Sequence, residues 1–143
     1  MNFPELEMCV HRAIDVLYAS DAKLFAVEAS EWALAHRLAI YLEHEIPGWN
    51  VDCEYNRQGD GHDPKENKVR PDIAIHHRGF LEPQHNLLVI ELKKREEEFD
   101  LVKTRAYTDK PTEKRRFQYQ YGLALSFLPK LEKHWFHDGL EKT

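Results

Sequence analysis

The sequence predicts an α/β domain, with a mixed central sheet of about four to five strands flanked by helices. Three observations carry this expectation. Apolar residues recur at helical spacing through the first third of the chain, β-preferring segments follow, and clusters of turn formers separate them. The order that results is two helical regions, three strands, a short helix and a further strand, which belongs to a layered α/β architecture.

Leu6, Val10, Ala13, Ile14 and Leu17 share one helical face, so a first amphipathic helix is expected from Glu5 to about Ala19. Ser20 or Asp21 can cap a second helical region, LFAVEASEWALAHRLAIYLEHEI, which has a break point at Ser30 and ends at Pro47-Gly48. WNVDCEY then alternates Val51, Cys53 and Tyr55 against Asp52 and Glu54, as a half-buried strand does. Residues 57–68, RQGDGHDPKENK, hold turn formers and charges without apolar periodicity and are expected to form a mobile loop. PDIAIHH reads as a second strand. NLLVIEL is a nearly continuous apolar run, the pattern of a central strand buried on both faces. FDLVKTRAY is helix-compatible, with Pro111 expected to end it. FQYQYGLALSF alternates as a fourth strand, helix being the competing reading of its first half, and KHWFHDGLEKT has room for one last short strand.

A chain of 143 residues is expected to form one domain with one real core. Its 42% hydrophobic and 31% charged residues are ordinary for a globular protein. No apolar run approaches the roughly 20 residues that cross a bilayer, and the acidic start MNFPELEMCVHR lacks the pattern of a signal peptide. The expectation is a protein that works whole, in the cytoplasm, without a membrane. Cys9 and Cys53 are too few and too far apart for a disulfide framework and sit in apolar patterns, so both are expected in the core.

The net charge of −5 argues against a polyanion partner, but its distribution is uneven. Residues 1–54 carry three Lys/Arg against ten Asp/Glu, whereas the stretch from Lys93 to Arg116 carries nine basic residues against six acidic ones. Lys93-Lys94-Arg95 and Lys114-Arg115-Arg116 can meet phosphates or form a solvated surface.

The chemistry concentrates where NLLVIELKK turns from apolar to charged. Side chains at i and i+2 of a strand share a face, so Glu91 and Lys93 emerge side by side. The preceding strand opens Arg70-Pro71-Asp72 before Ile73, Ala74 and Ile75, which sets an isolated carboxylate beside a core strand. Two carboxylates on neighbouring strands can hold magnesium, which takes oxygen ligands and keeps several waters. On the long helix, at about 100° per residue, Glu31 falls about 20° from Leu38 and so projects toward the core. A carboxylate buried there costs several kcal/mol unless it is paired or binds a metal. Lys93 can hold a phosphate oxygen and stabilise charge that develops in a transition state. Read alone, each feature also has a structural explanation: a strand end in solvent for Glu91, a helix start reaching water for Glu31.

Arg70-Pro71-Asp72, then Glu91-Leu92-Lys93, preceded by SEWALAHRLAIYL on a helix, resembles the PD-(D/E)XK, or restriction-endonuclease-like, nuclease superfamily as its small stand-alone members show it. The resemblance implies Glu31, Asp72 and Glu91 as ligands of Mg²⁺ or Mn²⁺ and Lys93 as the catalytic lysine. It implies hydrolysis of phosphodiesters, with DNA favoured over RNA as the nucleic-acid partner and endonuclease over exonuclease. A polar residue after the ExK strand is common in such nucleases, and Gln118 or Gln120 fits that part. Arg70, Arg78 and Lys94 are candidate phosphate contacts. Glu54 is an extra acid near the site or, the favoured reading, a surface strand residue. So small a chain is expected to gain specificity from a homodimer or a protein partner. The alternative is a nuclease-fold module that binds nucleic acid or protein without cutting.

Other chemistries lack an anchor. The nine histidines include His76-His77 and His134/His137, but neighbouring strand residues face opposite sides, and no HExxH or cysteine pair accompanies them, so zinc is not expected. No GxxxxGK[ST] loop, GxGxxG turn or GxSxG elbow is present.

Overall fold

The computed structural model describes residues 1–55 and 70–143, so the expected loop over 57–68 lies outside the described residues. Helix α1 (Phe3–Ser20) starts at Asn2, whose side chain accepts from the Glu5 N–H, with Pro4 in its first turn. It buries the five residues its periodicity singled out: Leu6, Val10, Ala13, Ile14 and Leu17. The second helical region divides at the expected point. A short α2 (Ala22–Ala26) precedes α3 (Glu31–Glu45), and the Ser30 hydroxyl caps α3 by accepting from the Ala33 N–H.

Six strands form one mixed sheet in sequence order: β1 (Asn50–Cys53), β2 (Ile73–His76), β3 (Asn86–Arg95), β4 (Tyr121–Leu128), β5 (Glu132–His137) and β6 (Leu140–Glu141). Only β3 and β4 pair in parallel; the other neighbours are antiparallel. A parallel pair needs a crossover, and α4 (Leu101–Ala106) lies in it. The count exceeds the expected four to five because the final segment is a hairpin of two strands. Its turn, Asp138-Gly139, has φ of 51° and 73°, the double positive φ that an Asp-Gly pair accepts in a tight hairpin.

Two boundaries differ from expectation for identifiable reasons. α4 stops at Ala106, well short of Pro111, because Tyr107 turns inward over the sheet and gives its carbonyl to the Tyr119 N–H. β4 starts at Tyr121 rather than Phe117. Just before it the Tyr119 N–H is taken by the Tyr107 carbonyl, and Gln120 meets β3 only at its first residue, through the Asn86 carbonyl.

The sheet separates two apolar layers. One face, carrying Ile73, Ile75, Leu88, Ile90, Leu92, Leu123 and Leu125, packs under α1 and α3. The other carries Ala74 and Val89 beneath Tyr107, Phe117 and Tyr119. β3 between them is buried from Asn86 to Leu92, as its apolar run predicts. Cys9 is half-buried, but Cys53 is exposed, contrary to expectation, because it ends the edge strand β1. Among the described residues no helix is long and apolar enough to cross a membrane.

Candidate active site

The geometry follows from unequal strand lengths. β2 begins at Ile73, opposite Ile90, whereas β3 runs on to Arg95. Past that point the edge of β3 that faced β2 has no strand to bond. Its N–H groups there belong to Leu92 and Lys94, two residues apart and so pointing the same way. Asp72 accepts from the Leu92 N–H through Oδ2 at 2.7 Å, and Glu31 accepts from the Lys94 N–H through Oε2 at 3.2 Å. The two carboxylates therefore stand along one strand edge, their amides about 6.6–6.8 Å apart by strand geometry. Glu31 is half-buried, in the first turn of α3, and reaches the sheet end rather than the core centre.

Glu91 and Lys93 leave the same strand on the α4 face. Continuing the pairing of Ala74 with Val89 by one step along that face sets Asp72 opposite Glu91. Glu91 is only 8% exposed. The Tyr107 hydroxyl donates to its Oε1 at 2.9 Å, and the Lys103 ammonium lies 3.6 Å from the same atom. Burial first and the neighbouring Asp72 charge second push the Glu91 carboxyl up to about 7, against the opposing pull of Lys103 and Tyr107. Glu91, when protonated, also shares a hydrogen bond with Asp72. Lys93 is half-buried beside this pair, with no carboxylate in ion-pair range among the described residues. Lys103 and Tyr107 belong to the site and were not singled out from the sequence. Only knowing that α4 packs over β3 would have found them.

Asp72, Glu91 and Lys93 thus gather at one sheet end, with Glu31 alongside. Among the described residues no three His, Cys, Asp or Glu side chains converge closely enough to hold a metal by themselves. The two-carboxylate pair is the centre. Of the other candidates, Arg70 is exposed just before Pro71. Lys94 donates through Nζ to the Glu28 carbonyl at 3.0 Å. Gln118 donates to the Thr108 carbonyl and Gln120 to the Pro83 carbonyl, so both amides brace the approach to β4.

Arg78 forks onto Asp52 at 2.6 and 2.8 Å, and the buried His76 ring meets the same carboxylate at 2.8 Å. Burial would raise Asp52, but the hydrogen bonds from Arg78 and His76 outweigh it and hold the carboxyl well below its usual range. His77 faces away from His76, stacked on Trp49 and bonded to the Gly48 carbonyl, as neighbouring strand residues should.

Comparison with family models, with curated proteins and with solved structures returns no match.

Proposed function

We propose that the chain is a magnesium- or manganese-dependent nuclease that hydrolyses phosphodiester bonds, DNA before RNA and internally rather than from ends. One observation carries this reading: Asp72 and Glu91 face each other across the β2–β3 register, with the Lys93 ammonium next on the same face. Burial, with the Asp72 charge second, raises the Glu91 pKa, and a divalent cation between the two carboxylates offsets both. Two carboxylates suit magnesium, which is commonly held by one or two with water and substrate oxygens completing its shell.

When bound, such an ion supplies a water of lowered pKa and neutralises charge on the phosphate. The chain's own residues do the rest. Asp72 is anchored by the Leu92 amide, which fixes one oxygen and leaves the other for the ligand. Tyr107 and Lys103 orient Glu91 through Oε1. Lys93 offers a donor to a non-bridging phosphate oxygen and to the attacking water. Glu31, held at the Lys94 amide, lines the approach from α3 and can order a second-sphere water.

A competing reading rests on a specific observation too: Asp72, Glu91 and Glu31 each already accept a hydrogen bond within the protein, which suits a module that binds without cutting. Incubation with single- and double-stranded DNA and with RNA separates the two. Cleavage that requires Mg²⁺ or Mn²⁺ and stops in chelator supports the nuclease; binding without cleavage under every condition supports the module. Calorimetric titration with Mn²⁺ adds an independent check. Asp72→Ala is expected to abolish binding, and Glu45→Ala, at the far end of α3, to leave it unchanged.

A further inference from the structure

Beside the carboxylate pair, between α3 and the ends of β1 and β2, lies a cavity of about 380 Å³ lined by Trp32, Ala35, His36, Cys53, Glu54 and Asp72. Its volume falls within the roughly 300–1,000 Å³ of small-ligand pockets. Three features of its wall stand out. Trp32 is 69% exposed on α3, which packs its other side into the core, so its ring face is free to meet a ligand. Glu54 takes a left-handed backbone, φ 50°, uncommon for a non-glycine residue, and belongs to the cavity wall. Asp72 is shared between the cavity and the candidate active site.

We propose that this cavity is a nucleobase subsite: an unpaired base of the substrate stacks on Trp32, and its exocyclic amino group donates to Glu54. Stacking on an aromatic face is the sequence-tolerant way that proteins hold unpaired bases. A carboxylate acceptor in the same pocket then favours amino-bearing bases, as in the pairing of Glu with the cytosine amino group. A mostly apolar cavity with Glu54 and Asp72 in its wall suits a base better than a phosphate, so the base enters and the backbone stays outside, at the sheet end where Asp72, Glu91 and Lys93 stand. That arrangement calls for a single-stranded or flipped-out nucleotide. The inference rests on the nuclease reading for its link to catalysis, but the binding itself needs no metal.

The test is anisotropy of a labelled single-stranded deoxycytidine oligonucleotide titrated with the full chain in chelator. Wild type is expected to bind, Trp32→Ala to bind about tenfold or more weakly and Trp32→Phe to keep most of the affinity, in line with the value of a base-aromatic stack. Glu54→Gln is expected to narrow the preference for oligo-deoxycytidine over oligo-deoxythymidine. Trp32 is exposed, so its variants are expected to melt as wild type does. Failure of wild type to bind, or equal binding by wild type, Trp32→Ala and Trp32→Phe, would overturn the subsite. Trp32-dependent binding without metal-dependent cleavage would leave the subsite standing and remove the nuclease; cleavage indifferent to Trp32 would do the reverse.

Discussion

Glu91 shows at the scale of one residue what it costs to bury a carboxylate beside a second one. Its ordinary value is 4.5, and burial beside Asp72 raises it to about 7. Between those values the folded chain keeps a proton that the unfolded chain releases, so stability falls as pH rises from about 4.5 to about 7 and is flat above. The shift corresponds to on the order of 3 kcal/mol. Glu91→Gln is therefore expected to raise the melting temperature at pH 8, to gain little at pH 4.5 and to abolish cleavage, a set of changes that thermal melts and a nuclease assay read together. Added Mg²⁺ should stabilise wild type but not this variant at pH 8. Tyr107 donates to Glu91 and lowers its pKa, so Tyr107→Phe is expected to move the acidic limb of the pH–activity curve upward. An unchanged limb would show that Glu91 does not set it.

At the scale of elements, the site depends on where strands and helices end. Ser30 caps α3 and so fixes the first turn that carries Glu31 to the Lys94 amide. Ser30→Ala is expected to cost about 1 kcal/mol in urea unfolding and to loosen that contact. Arg78, a candidate phosphate contact on sequence grounds, is engaged by Asp52. Because its side chain is half-exposed, Arg78→Ala should cost only about 1 kcal/mol and leave substrate affinity within twofold; a large loss of affinity with unchanged stability would restore the phosphate role. The sequence predicted most elements because their signals are local: the apolar stripe of α1, the Ser30 cap and the apolar run of β3. It missed the end of α4, the start of β4 and the second strand of the terminal hairpin. Those boundaries are set by contacts between distant segments, Tyr107 with Tyr119 and Gln120 with Asn86, which no local pattern contains.

At the scale of the whole molecule, the same division applies to the site. Asp72, Glu91 and Lys93 were legible as charges interrupting apolar strands, and i, i+2 alternation put two of them on one face. Their common position needed the β2–β3 register, and Lys103 and Tyr107 needed the crossover that lays α4 over β3. Glu31 shows a partial success, since periodicity turned it inward but did not reveal that it meets a backbone amide. A domain of this size has little surface for reading sequence, and a homodimer or a protein partner is expected to supply it; for a homodimer, light scattering at working concentration should give twice the 16.9 kDa chain mass. A monomeric mass would shift specificity to the proposed base cavity or to another protein.

If the Asp72–Glu91 pair and Lys93 form a hydrolytic site, Lys93 is the residue to remove, because its ammonium has no structural partner among the described residues. Cleavage rates of wild type and Lys93→Ala are compared in Mg²⁺ on the same DNA, with melting temperatures measured alongside. Equal stability and a loss of cleavage of about a hundredfold or more are expected, the scale of removing one donor from a developing charge. Equal rates for the two proteins would contradict the hydrolytic site.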